Sequence, residues 1–183
     1  MERIVLASAS PRRAELLTSA GIDFEVVPAH LDETPEPGET PAAYVQRIAQ
    51  AKAMAVASRV NGRVILAADT TVVVGSEMLG KPVNDDDAKR MLQLLSGRAH
   101  QVVTGVALVR YGKTATQIDS TTVEFAALTE AEIAWYVATG EPCDKAGAYA
   151  IQGYASRFVT RINGSYSNVV GLPMALVYDM LKP

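Results

Sequence analysis

A chain of 183 residues, 49% hydrophobic and 20% charged, has apolar material for one ordinary domain or two tightly joined lobes. Its net charge of −3 excludes a general nucleic-acid binder, whose footprint is a basic excess, so a bound polyanion must be met by a local cluster. The single cysteine excludes an intrachain disulfide, and no apolar run approaches the ~20 residues of a membrane span. With no leader-like start, the expectation is a cytoplasmic protein without nucleic-acid or membrane partners, in which Cys143 is a small, partly buried hydrophobe.

Ile4-Val5-Leu6 reads as a short apolar strand, and Ser8-Ala9-Ser10-Pro11-Arg12-Arg13 turns it at once into a helix. Ser10 suits the N-cap and Pro11 the first helical position. The first turn then carries Arg12 and Arg13, cations that oppose the helix dipole by about 0.3–1 kcal/mol each. Serine hydroxyls, free backbone N–H groups and paired guanidiniums at a helix start make a phosphate site; the plainer reading is two solvated arginines. The helix stops at Gly21, and a strand follows over 24–27. Residues 30–41 are rich in acid and proline and read as a mobile surface loop and the one candidate hinge.

Thr40-Pro41 opens a long helix reaching Val60. Val64 to Ala68 is a continuous apolar strand ending at Asp69-Thr70, with a separate strand over 72–74 and a turn at Gly75. Asn84 caps a helix from Asp85 to Leu95. Strands are expected over 101–110 and 121–126. Thr129 to Glu132 is a capping box opening a helix to Thr139. The glycine-rich region 144–171 holds short strands, and Pro173 starts a terminal helix. Interleaved strands and helices give an α/β or α+β class with a mixed sheet.

Several residues have a functional reading beside a plainer one. Asp69 ends a buried strand, the sheet edge where ligands bind, or it caps a turn. Lys52 lies among alanines on a helix, where a ligand could come close, and Lys81 sits in the stiff turn Gly80-Lys81-Pro82; solvated lysines are the plain alternative. Glu33 is a metal ligand or a solvated acid, Asp144-Lys145 an ion pair bracing a turn or part of a site, and Gln152 a base-reading amide or a surface glutamine. Arginines, lysines and serines suit a polyphosphate, and carboxylates beside one require Mg²⁺ or Mn²⁺ between them. The sum suggests a nucleoside triphosphate with its metal.

The chain resembles the Maf family of nucleoside triphosphate pyrophosphatases along its whole length. The resemblance rests on Ser8 to Arg13, Asp32-Glu33-Thr34, Ala51-Lys52-Ala53, Ala68-Asp69-Thr70, Gly80-Lys81-Pro82 and Leu95-Ser96-Gly97-Arg98, taken in order. Val103-Thr104-Gly105, Asp144 to Tyr149, Ile151-Gln152-Gly153 and Val170 to Pro173 complete it. It implies a Maf/ITPase-like fold over 1–183, a twisted mixed sheet flanked by helices, with two lobes around a cleft. It also implies hydrolysis of the α–β phosphoanhydride to a nucleoside monophosphate and pyrophosphate. The matches imply Asp69 as general base and Arg12, Thr70 and Gln152 as base-specificity positions, of the type acting on dTTP and UTP.

In the mechanism this suggests, Asp69 and Glu33 hold a divalent cation, and Asp69 orients or deprotonates water. Arg13, Lys52 and Lys81 neutralise the phosphates while Ser8 and Ser10 donate hydrogen bonds. Whether Asp69 is chiefly base or metal ligand stays open, as does a homodimer. The alternatives are a nucleotide-binding regulator of cell division without turnover, and a house-cleaning enzyme for damaged or 7-methylated purine nucleotides.

Overall fold

A computed structural model describes residues 2–60 and 62–182 of the chain. Its strands are β1 (Ile4–Leu6), β2 (Phe24–Val26), β3 (Ile65–Val74), β4 (Glu77–Leu79), β5 (Ala99–Arg110), β6 (Lys113–Phe125) and β7 (Val159–Asn163). Its α-helices are α1 (Pro11–Ser19), α2 (Pro41–Ala57), α3 (Asp85–Leu95), α4 (Glu130–Ala138), α5 (Tyr166–Val170) and α6 (Met174–Leu181). The strands form one seven-stranded sheet in the order β2-β1-β3-β5-β6-β7, with β4 added to β3. It is mixed: β1 runs parallel to β2 and β3, whereas the pairs β3–β4 and β6–β7 are antiparallel. The α/β class with a helix-flanked mixed sheet is therefore as the sequence indicates.

Packing divides the chain into two compact units, one of residues up to 70, 104–119 and from 171, the other of 71–103 and 120–170. In the first unit, side chains alternate across the sheet with the period of two that strands impose. Ile4, Leu6, Leu66, Ala68, Val106 and Leu108 pack with Leu17 of α1 and with Val177 and Leu181 of α6. Val5, Ala7, Ile65, Ala67, Ala107 and Val109 pack with Ala49, Ala53 and Val56 of α2. Gly105 permits that second layer: a Cβ there would overlap the carbonyl of Val45 on α2.

The second unit buries Met91, Leu92 and Leu95 of α3, Ile133 and Val137 of α4, and an aromatic set. Phe125 stands edge-on to Tyr149 with ring centres 4.8 Å apart, and Tyr136 edge-on to Phe158 at 5.4 Å, favoured aromatic geometries. His100 is buried in this set, its Nε2 2.9 Å from the Tyr149 hydroxyl and its Nδ1 without a hydrogen-bond partner among the described residues. Burial holds His100 down to about 4, because a buried imidazolium loses its hydration. In the unfolded chain it titrates near 6.5, so between the two values the unfolded state binds more protons. Stability from this group is complete above pH 6.5 and falls as pH falls, by about 2 kcal/mol from pH 7.5 to 5. Urea unfolding at both pH values should show that loss in the wild type and lack it in His100→Phe; equal losses would refute the assignment.

Several expectations need correction. Asp69 does not end a strand: β3 runs unbroken through it, because Thr70 and Thr71 are β-branched and the carboxylate is paired. After the turn at Gly75 a further short strand, β4, forms, and β6 starts at Lys113 rather than 121. Its first half is exposed and polar, and the hairpin turn is Tyr111-Gly112, whose φ values of 51° and 74° suit a two-residue turn. Helix α2 ends at Ala57, not Val60, where the Arg59 N–H tightens onto the Val56 carbonyl at 2.8 Å. Ser10 occupies the cap position of α1 without a side-chain cap bond; its own N–H donates instead to Ser8 Oγ at 3.2 Å. Cys143 is exposed, because in its short 3₁₀ turn Pro142 takes the buried position. Residues 144–171 form short 3₁₀ turns, β7 and α5 rather than several strands. No helix among the described residues is long and apolar enough to cross a membrane.

Candidate active site

The alternation of β3 sends two adjacent residues to opposite faces. Asp69 follows Ile65 and Ala67 onto the face covered by α2. There Lys52, two turns beyond the Val45–Gly105 contact, places Nζ 2.7 Å from Asp69 Oδ1 and 2.9 Å from Glu33 Oε1. The Lys52 and Asp69 side chains are 9% and 7% exposed and Glu33 is 44% exposed. A buried ammonium and a buried carboxylate are tolerated because each neutralises the other. The solvated-lysine reading of Lys52 is thereby set aside.

Glu33 reaches this lysine because its loop is tied to α2. The Tyr44 hydroxyl donates to the Glu33 carbonyl at 3.0 Å. Arg47 grips both oxygens of Glu39 at 2.7 Å and donates to the Thr34 carbonyl at 3.2 Å. Asp32 closes a local turn by accepting the N–H and hydroxyl of Thr34 at 2.9 and 2.6 Å. The Arg47 fork drives the Glu39 carboxyl down to about 2. Burial, then the negative charge of Asp69 and Glu33, raises Tyr44 to about 12, so it remains a donor. The loop is on the surface, as expected, but Tyr44 and Arg47 escaped the sequence reading. Their signal was spacing: three residues apart on a helix, they share one face.

Thr70 follows Ala68 onto the opposite face, where Arg13 of α1 is buried to 9% exposure. Arg13 donates from Nε to the Gly171 carbonyl at 2.8 Å, from Nη1 to Ser8 Oγ at 3.1 Å and from Nη2 to Thr70 Oγ1 at 3.2 Å. Thr70 Oγ1 also lies 2.9 Å from Thr104 Oγ1. Burial lowers Arg13 from its ordinary value, and the charges of Asp69 and Glu33 oppose that shift. Arg13 thus ties the start of α1 to β3 and to Gly171, and Ser8 and Thr70 are its acceptors. Arg12 and Ser10 beside it are half-buried.

The second unit holds the remaining candidates. Lys81 and Gln152 are both exposed. Asp144 and Lys145 form an ion pair, the first of the two readings given for them, and the Gly147 N–H donates to the Gly80 carbonyl at 3.0 Å, tying that segment to the turn before Lys81.

Whether a metal fits is decided by the donor set. No group of three or more His, Cys, Asp or Glu side chains suited to a metal exists among the described residues. Asp69 and Glu33 each engage Lys52 through one oxygen, leaving the other carboxylate oxygen outside those bonds. Two carboxylates suit Mg²⁺, which keeps waters and takes its other ligands from substrate phosphates. The residues present fit such an ion only together with a phosphate ligand.

The fold and this paired-carboxylate site define a mixed-sheet α/β protein of a known architecture. The solved structure of the Staphylococcus aureus Ham1 protein superposes with a TM-score of 0.57 over 98% of both chains, at 16% identity, which speaks for the fold alone. The sequence profile described as Maf-like protein matches residues 3–183, and the chain belongs to the Maf family. A relative from Syntrophus aciditrophicus is 49% identical over 99% of this chain and 89% of its own. One from Anaeromyxobacter sp. strain Fw109-5 is 55% identical over 98% and 88%. One from Citrifermentans bemidjiense is 54% identical over 98% and 94%. All three are named dTTP/UTP pyrophosphatase.

Proposed function

We propose that this protein is a pyrophosphatase that hydrolyses dTTP and UTP to the nucleoside monophosphate and pyrophosphate. What carries the reading is identity of about one half, along nearly the whole chain, to relatives of that name. The buried Asp69–Lys52–Glu33 group supplies chemistry that suits it. Water attacks the α-phosphorus, the bond from that phosphorus to the bridging oxygen breaks, and pyrophosphate leaves. Asp69 takes or directs the proton of the water. Lys52, Lys81 and the Arg12–Arg13 helix start offset charge on the phosphates, with Ser8 and Ser10 as hydroxyl donors. Asp69 and Glu33 would hold a Mg²⁺ or Mn²⁺ ion, which when bound polarises phosphate oxygens.

Base choice falls to Gln152, with Arg12 and Thr70 as supporting positions. Uracil and thymine present an O4 acceptor and an N3–H donor that one carboxamide can match, whereas cytosine presents the reverse. An unmatched polar edge in a closed site costs about 1–3 kcal/mol. A kcat/KM panel over dTTP, UTP, CTP, GTP and 7-methyl-GTP, with and without Mn²⁺, tests this. dTTP and UTP should lead, thymine's methyl should matter little, and Gln152→Ala should erode the preference more than it slows dTTP. Equal rates for dTTP and GTP, or binding without turnover, would overturn the reading.

A further inference from the structure

Gln152 is exposed, yet the turn carrying it is clamped from both sides by one carboxylate–phenol pair. Glu141 Oε2 accepts the N–H of Tyr154 at 2.9 Å, and Oε1 accepts the N–H of Ala155 at 3.3 Å. These are the first N–H groups of the 3₁₀ turn Tyr154–Phe158 that follows Gln152, groups that need an outside acceptor. Glu141 Oε1 also accepts the Tyr136 hydroxyl at 2.7 Å. That hydroxyl oxygen in turn accepts the N–H of Ala150, before Gln152, at 3.2 Å. The loop closes on itself through Gly153 N–H to the Ala150 carbonyl at 3.0 Å. A Cβ at Gly153 would overlap the Glu141 carboxylate, so glycine is what lets the carboxylate lie against the turn. Tyr136 is fully buried at the base of this arrangement, packed edge-on to Phe158. All of these residues belong to the second unit.

We propose that Glu141 and Tyr136 are positioning residues for base choice: they fix the turn 150–155 and with it the backbone from which the Gln152 amide extends. The proposal rests on the reading of Gln152 as the base-contacting amide. An amide discriminates only while its donor and acceptor keep one order relative to the base; turned over, it matches cytosine. A turn anchored before and after Gln152 presents the side chain from one place and one direction. A loosened turn lets it re-aim, which weakens rejection of CTP and acceptance of dTTP together. The clamp bonds only the backbone on either side of Gln152, so its loss should act on binding of the base and not on the chemical step.

The test compares kcat and KM for dTTP and CTP in the wild type, Tyr136→Phe, Glu141→Gln, Gln152→Ala and the double variant Tyr136→Phe/Gln152→Ala. Tyr136→Phe keeps the buried ring and removes only the hydroxyl; Glu141→Gln keeps the shape and turns one acceptor into a donor. Each should lower the dTTP:CTP ratio of kcat/KM about tenfold, equal to ~1.4 kcal/mol. The change should lie in the KM for dTTP, with kcat changing far less. In the Gln152→Ala background, Tyr136→Phe should change the ratio no further. A ratio untouched by Tyr136→Phe while Gln152→Ala collapses it would overturn the clamp. So would a Tyr136→Phe effect of equal size in the Gln152→Ala background. A ratio untouched by Gln152→Ala would instead overturn the reading of Gln152 itself. Should Glu141→Gln fail to fold, Tyr136→Phe decides alone.

Discussion

Asp69→Asn is expected to lower kcat for dTTP by about 10²–10⁴-fold, the contribution of a positioned acid–base group. The fold should survive. Asparagine has the same shape and still offers Lys52 an acceptor where Oδ1 now stands at 2.7 Å. Lys52 also keeps Glu33 at 2.9 Å, so the ammonium is not left without a counter-charge. The stability change should therefore be about 1 kcal/mol, that of one weakened hydrogen bond. Steady-state turnover and urea unfolding of the same preparation check both parts. Wild-type turnover in Asp69→Asn would remove Asp69 from the chemistry. Lost turnover with a collapsed unfolding transition would make its role structural.

Much of this architecture was written locally. Asn84 caps α3 by accepting the Asp87 N–H, and Thr129 and Glu132 form a complete capping box, because such caps depend on residues three apart. The apolar runs of β1 and β3 announced buried strands for the same reason. What the sequence concealed was set by partners far along the chain. Asp69 continues a strand instead of ending one because Lys52, 17 residues earlier, neutralises it. The first half of β6 has no buried face and hence no alternation to betray it. Pro142 rather than Cys143 turned inward, a choice made by the geometry of one short turn.

The candidate site was legible as residue types and not as an arrangement. Nothing in the spacing of Ser8, Arg13 and Thr70 announces that they bond one another, as they do because a buried guanidinium must find acceptors. That network joins residues 5 and 57 positions from Arg13, and its third acceptor, the Gly171 carbonyl, is 158 positions away. An acid such as Glu33 in a polar loop looks solvated from sequence alone; the ties from Tyr44 and Arg47 make it a partner of Lys52.

Removing the lysine instead of the aspartate should have the larger effect on folding. Lys52→Met keeps the length of the stem but leaves Asp69, 7% exposed, without its nearest counter-charge and with Glu33 still close by. Breaking one side of a buried pair costs about 3–5 kcal/mol. The lower end applies here, because Glu33 is 44% exposed and can turn to water, and Arg13 still acts on Asp69 electrostatically. With Lys52 in the phosphate-neutralising role proposed for it, turnover should also fall, by about 10²-fold or more. The double variant Lys52→Met/Asp69→Asn separates the two effects. It buries no unpaired charge, so it should recover about 2 kcal/mol relative to Lys52→Met alone while remaining inactive. Denaturant midpoints for the two singles and the double give the coupling. A double variant destabilised by the sum of its parts would show that Lys52 and Asp69 do not stabilise one another. Lys52→Met with normal turnover would mean that the lysine only holds the aspartate in the fold.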